Sequence, residues 1–186
     1  MVIIKMRYAS IRELDISNGE GVGVALFVQG CHFHCKNCFN YEAWDFNGGK
    51  EWTQEVENKF LELIDRPYVN RISILGGEPL ANENVKDVCS LVNKIKFTFP
   101  DKTIWLFTGY TWNQIFYPIT TDDLDSDRDT IINCRKQIVE ACDVLVDGQF
   151  EEDKKDLKLK FRGSSNQKVI DVQESLKQNK VILYCD

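Results

Sequence analysis

The sequence predicts an α/β fold, specifically an open partial (β/α) barrel with a mostly parallel sheet. Three observations predict it. Short apolar runs alternate with stretches whose apolar residues recur at helical spacing. Several of the runs stop at Gly or a polar residue, as strands do where α/β folds place their sites. The chain of 186 residues is too short for eight strand–helix units and has room for about five or six.

The first strand is expected over residues 22–29 (V-G-V-A-L-F-V-Q), ending at Gly30. Residues 53–65 carry Val56, Phe60, Leu63 and Ile64 at helical spacing, with Thr53 as N-cap and Arg66-Pro67 as the stop. Residues 71–75 (R-I-S-I-L) form a second strand, halted by Gly76-Gly77. Residues 82–96 place Val85, Val88, Cys89, Val92 and Ile95 on one helical face. Residues 103–107 (T-I-W-L-F) make a third strand, stopped by Thr108-Gly109. A helix over 131–141 leads to a fourth strand at 143–146, stopped by Asp147-Gly148. Residues 169–177 and 181–184 add a strand, a short helix and a last strand. Strands that alternate with helices join in parallel through helical crossovers.

Two segments break this rhythm and read as solvated surface loops. Residues 120–129 (T-T-D-D-L-D-S-D-R-D) are acidic and aperiodic, without the Gly and final Glu of an EF-hand loop. Residues 151–162 (E-E-D-K-K-D-L-K-L-K-F-R) pass from acidic to basic.

Composition narrows the function classes. The chain is 43% hydrophobic and 28% charged, which suits one folded domain over residues 1–186 and argues against disorder. Its 23 basic and 29 acidic residues give a formal net charge of -6, unlike a protein that grips nucleic acid with its whole surface. A local basic patch remains open. No apolar run approaches the roughly 18 residues that span a bilayer, and the first seven residues do not form a signal peptide, so the expected location is the cytoplasm.

The cysteines carry the chemistry. There are seven, an odd number, which does not suit a disulfide scaffold. Cys89, Cys134, Cys142 and Cys185 are scattered and read as small buried hydrophobes. Cys31, Cys35 and Cys38 crowd into Gly30-Cys31-His32-Phe33-His34-Cys35-Lys36-Asn37-Cys38-Phe39, directly after the first strand. A structural zinc or a closed iron–sulfur cluster takes four ligands; three leave one metal position open, as a reactive site requires. A zinc site would need His32 or His34 as its fourth ligand. Each lies next to a ligand cysteine, which hinders convergence on one ion. The second signal is Leu75-Gly76-Gly77-Glu78-Pro79-Leu80, on the same sheet edge. Paired glycines let backbone approach a ligand closely, although an ordinary strand-to-helix turn also uses them.

C-x3-C-x2-C after one strand and G-G-E-P after the next resembles the radical S-adenosylmethionine superfamily. The resemblance implies that Cys31, Cys35 and Cys38 are the metal-binding and catalytic residues, holding a [4Fe–4S] cluster whose open iron binds S-adenosyl-L-methionine. Gly76, Gly77 and Glu78 match the segment that helps bind the methionine amino group. Phe39 stands where an aromatic commonly stacks on adenine, and Asn37 and Cys38 share that cofactor-binding stretch. Gly109 and Tyr110, at the edge of the third strand, are expected to line the same pocket. On this reading Gly77→Val should cost cofactor binding and spare the iron.

Further motifs narrow the resemblance: Asn18-Gly19-Glu20-Gly21, Thr108-Gly109-Tyr110-Thr111-Trp112, residues 143–150 (D-V-L-V-D-G-Q-F) and residues 162–167 (R-G-S-S-N-Q). In this order, over about residues 18–171, they resemble the family that activates anaerobic (class III) ribonucleoside-triphosphate reductases. The acidic stretch 120–129 is longer than that family leads one to expect. The resemblance implies reductive cleavage of S-adenosylmethionine and hydrogen abstraction from a glycine of the reductase. It also implies a low-potential electron donor such as flavodoxin, and neither nucleic acid nor membrane as partner. For residues 162–167 a capped turn and a functional contact both stay open. Activation of another glycyl-radical enzyme, modification of a small molecule, and a zinc or electron-transfer module in a binding protein are the rival readings.

Overall fold

The computed structural model describes residues 5–118 and 126–185. In chain order its elements are β1 (Arg7–Asp15), β2 (Gly23–Val28), β3 (Lys50–Glu51), α1 (Gln54–Ile64), β4 (Arg71–Gly76), α2 (Val85–Thr98), β5 (Thr103–Phe107), α3 (Trp112–Phe116), α4 (Ser126–Ala141), β6 (Val144–Asp147), β7 (Lys168–Asp171), α5 (Val172–Gln178) and β8 (Leu183–Cys185). The strands form one eight-stranded sheet in the order β3-β1-β2-β4-β5-β6-β7-β8.

The parallel centre is smaller than the five or six units expected. Only β2, β4, β5 and β6 run parallel. At one side β1 pairs antiparallel with both β2 and β3; at the other β7 pairs antiparallel with β6 and β8. The reason lies in the connections. A parallel neighbour needs a crossover, whereas β6 reaches β7 through the irregular stretch 148–167, which lets the chain turn back. The sheet is mixed, and among the described residues no ladder joins β3 to β8, so barrel closure is not seen. The first strand, β1, has no counterpart among the expected elements. Its alternation is weak because all but one of its residues are exposed or only partly buried.

Where strands and helices were expected, the boundaries agree within a few residues. Thr53 caps α1 as its sequence position predicts, its side chain accepting from the Val56 N–H, a bond worth about 1 kcal/mol. The loop expected over 120–129 is corrected in part. Residues 126–129 are the first turn of α4, where Asp127 and Asp129 complement the partial positive charge of the helix N-terminus. Residues 120–125 of that stretch lie outside the described residues. The segment 151–162 is irregular apart from a short 3₁₀ turn at Glu152–Lys154, as expected.

Strand alternation sorts the molecule into two faces. Val24, Leu26, Val28, Ile72, Ile74, Ile104, Leu106, Leu145 and Ile170 join one core with residues of all five helices, among them Phe60, Val88, Ile115, Ile138 and Val172. Their neighbours along each strand point the other way. Ala25, Phe27 and Leu75, and Trp105, Val144, Val146 and Val169, form two smaller clusters on the face without helices. Consecutive right-handed crossovers between adjacent parallel strands put α1 to α4 on the same side, and α5, which joins the antiparallel β7 and β8, packs on that core through Val172. No helix among the described residues is long and apolar enough to cross a membrane.

Candidate iron–sulfur site

The helix-free face opens into a cavity of about 700 Å³ at the C-terminal ends of the parallel strands. Its floor is made by Phe27, Leu75, Phe107 and Val146, the inward members of the strand alternation. Cys31, Cys35 and Cys38 line it, as do Phe39, Gly76, Gly77, Glu78 and Gly109. The other two expected residues, Asn37 and Tyr110, are not in its lining. Asn37 instead shapes the cysteine loop: with His34 it takes a left-handed φ (56° and 47°), which coils the segment between the thiols. The Tyr110 ring packs behind the lining, edge-on to Phe33 at 5.0 Å, under the Arg135 guanidinium at 4.2 Å. Its hydroxyl accepts from Arg135 at 2.8 Å, and burial pushes its pKa up.

The cysteine loop is tied to the Gly-Gly-Glu segment by main-chain bonds. The Glu78 N–H donates to the Gly30 carbonyl at 2.7 Å, and the Gly77 N–H to that of Val28 at 2.8 Å. Gly77 is required by this approach, because a Cβ there would stand 2.4 Å from the Gly30 oxygen. Glu78 is buried, and its carboxylate is spent on its own chain. It accepts from the Leu80 N–H (2.8 Å), the Thr108 hydroxyl (2.7 Å) and the Gly109 N–H (2.8 Å), so it binds the end of β4 to the end of β5. Burial raises its pKa against those donors. The two histidines lie at the rim: His32 faces the Glu83 carboxylate at 2.9 Å, and His34 packs on Trp44.

Burial pushes the Cys31 thiol up to about 11 and raises that of Cys35 as well. Such thiols are protonated at neutral pH, and a metal centre would have to displace their protons. Cys38 sulfur accepts an N–H from Asn40 at 3.4 Å. The residues fit an iron–sulfur cluster in donor type and number. Three thiols share one cavity, and two cavity-lining side chains, Trp44 and Arg162, hold buried nitrogens without a hydrogen-bond partner. Among the described residues no three Cys, His, Asp or Glu converge as ligands of a single ion. A cluster does not require that, since each thiolate binds a different iron.

Several lining residues had no sequence motif to reveal them. Phe27 and Phe107 follow from strand alternation once the helix-free face is known, as does the inward side of Leu75 at the head of the glycine motif. Leu157, Leu159 and Phe161 come from a segment read only as solvated loop, while Phe150 closes the motif 143–150 without having been given a role. Of the two readings that the sequence left open for residues 162–167, the turn is present, and part of the segment also lines the cavity. The Gln167 side chain accepts from the N–H groups of Gly163 (2.9 Å) and Ser164 (3.2 Å), closing a turn, while Arg162, Gly163 and Gln167 line the cavity.

The comparisons with known proteins define the class first. The family described as "4Fe-4S single cluster domain" matches residues 17–170, which include all three thiols of the cavity. Three curated relatives narrow it. The anaerobic ribonucleoside-triphosphate reductase-activating protein of Salmonella typhimurium is 39% identical over 166 residues, covering 88% of this chain and 97% of the relative. Its counterpart in Escherichia coli strain K12 is 37% identical over the same shares. That of Enterobacteria phage T4 is 30% identical over 164 residues, 88% of this chain and 93% of the relative. The chain belongs to the family of anaerobic ribonucleoside-triphosphate reductase-activating proteins.

Proposed function

We propose that this protein places a glycyl radical on an anaerobic ribonucleoside-triphosphate reductase, by reductive cleavage of S-adenosylmethionine at a [4Fe–4S] cluster. The observation that carries the reading is the meeting of Cys31, Cys35 and Cys38 with Gly76, Gly77 and Glu78 around one cavity, in a chain 39% identical to a named activating protein. When bound, the cluster and S-adenosylmethionine supply the electron, the broken S–C5′ bond and the acceptor for the glycine α-hydrogen.

The chain's own residues do the rest. The three thiols hold the cluster and leave one iron open. Gly76 and Gly77 let main chain approach the methionine end of the cofactor, and Glu78 fixes that edge to Thr108 and Gly109. Phe39, more than half exposed beside the third thiol, offers a face for adenine. Asn37 sets the turn of the loop, and Tyr110 backs Phe33 from behind. Phe27, Leu75 and Phe107 keep water from the floor.

The finer fold reading is an open partial (β/α) barrel of the radical S-adenosylmethionine type, formed as a single domain over residues 1–186. Its support is that all helices lie on one face and the cavity on the other, unlike a doubly wound sheet covered on both. The expected electron donor is a low-potential protein such as flavodoxin, and the expected location is the cytoplasm.

The test mixes this protein, the reductase, S-adenosylmethionine and dithionite without oxygen and records the electron paramagnetic resonance spectrum. A glycyl doublet is expected, lost with Cys31→Ala, Cys35→Ala or Cys38→Ala. Anaerobic protein holding zinc and no iron would end this reading. Cofactor cleavage without any radical on the reductase would redirect it to another glycyl-radical enzyme.

A further inference from the structure

The segment Glu151 to Arg162 forms one wall of the cavity mouth and has no role in the reading above. Its sequence alternates from Leu157 to Phe161 as L-K-L-K-F. Leu157, Leu159 and Phe161 line the cavity, while Lys158 and Lys160 are exposed. Phe161 takes a left-handed φ of 60° and turns its ring edge-on to Trp105 at 4.9 Å, anchoring the far end. Leu157 at the near end is 84% exposed and covers nothing. The sequence pattern is that of a strand, yet residues 157–161 are a turn and bends carried beyond the bridge of Lys155 with Ser164, and the N–H groups of Lys158 and Leu159 bond back to Asp156. Among the described residues, the N–H groups of Lys160 and Phe161 make no hydrogen bond within the chain. Neither Lys158 nor Lys160 makes an ion pair there, although other lysines of the segment do.

We infer that residues 157–161 are a docking rim for the reductase, receiving an acidic stretch of it beside the glycine. The inference rests on the function proposed above, since the glycine must reach the cavity through this mouth. The exposed Leu157 and the unused N–H groups of Lys160 and Phe161 offer apolar and hydrogen-bonding contacts to a partner at this mouth. Two unpaired lysines on a chain of net charge -6 give a local basic rim, which selects and steers an acidic partner.

The test is Lys158→Glu with Lys160→Glu, using cluster-loaded protein and dithionite as the reductant. Iron content and cleavage of S-adenosylmethionine alone should match the wild type. Affinity for the reductase, measured by anaerobic titration at low salt, should fall at least tenfold with a flatter salt dependence, and the glycyl doublet should weaken. Lys158→Gln with Lys160→Gln should fall between the two, and Leu157→Asp should also weaken binding. Wild-type affinity in the double Glu variant would overturn the inference. So would a defect seen only when a protein donor replaces dithionite, which would assign the rim to that donor. A wild-type protein that cleaves S-adenosylmethionine but never binds the reductase would overturn the functional reading and this inference with it.

Discussion

At the N-terminal ends of β2 and β4 a single buried guanidinium gathers the chain around itself. Arg71 donates to the carbonyls of Asn18 (2.7 Å), Glu20 (3.1 Å) and Asp15 (2.8 Å), and to the Asp15 carboxylate (2.9 Å). It also contacts the Ser73 hydroxyl, which in turn donates to the Asn18 carbonyl. Gly19 packs so close that a Cβ would meet the Arg71 and Trp105 side chains at 2.6 and 2.7 Å. At the C-terminal ends of the same strands the polar groups behave differently. Three thiols and two glycines surround open space, and beside it Trp44 and Arg162 keep buried nitrogens without a partner among the described residues. Around Arg71 this end of the sheet spends its polar groups on itself and is closed, although a cavity of about 560 Å³ opens beside it at the starts of β5 and β6. The other leaves them for ligands, apart from Glu78, which is spent on holding the edge together. A strand end can therefore carry stability or chemistry, and the choice shows in whether its hydrogen-bonding groups are used.

This contrast can be broken from either side. The largest effect is expected at the open end from Gly77→Ala. Its methyl would press on the Gly30 carbonyl, one residue from Cys31, so iron content after anaerobic reconstitution should fall to a small fraction of wild type. The thermal midpoint of the iron-free protein should move by only a few degrees. A variant with full iron would show that the cysteine loop yields, and would restore the simpler expectation that Gly77 matters only for the cofactor.

At the closed end Arg71→Ala should cost about 3–5 kcal/mol in urea unfolding of the iron-free protein, because it strands the buried Asp15 carboxylate and three carbonyls. A cost below about 1 kcal/mol would mean that water replaces the guanidinium and the end is not closed. Any folded fraction of this variant should still take up iron, since none of the thiols touches the network.

The smallest effect is one of acid stability. Burial works to raise the Asp15 pKa, but the bonds from Arg71 and Asn18 outweigh it and hold it below the ordinary 3.8. Its contribution is therefore complete at neutral pH. It is lost as pH falls through the depressed folded value, where the unfolded chain has already taken up its proton. The stability difference between wild type and Asp15→Asn should shrink as pH drops below about 4. A difference that stays constant would show that Asp15 acts through shape and not charge.

Much of the open end could be read directly from the chain. Cys31, Cys35, Cys38 and the Gly76-Gly77-Glu78 run lie in short contiguous motifs, and motifs on neighbouring parallel strands meet at one edge whatever the rest of the fold does. The closed end could not be read this way. Arg71 looked like the polar start of an ordinary strand, and its partners sit 51 to 56 positions away. The cavity-lining side of the segment 151–162 was hidden for a related reason. Its charges announce a solvated loop, and its alternating Leu157, Leu159 and Phe161 acquire meaning only beside a cavity built by distant strands.

By itself the sequence determined the alternation of strands and helices, the thiol triplet, and the glycine edge that faces it, because each depends on periodicity or on spacing within a few residues. Only the tertiary structure decided strand direction at the two sides of the sheet, the gathering of all helices on one face, the use of Glu78 as a brace and the burial of Arg71. Those depend on which distant groups satisfy one another's hydrogen bonds, and hydrophobic period carries no record of that.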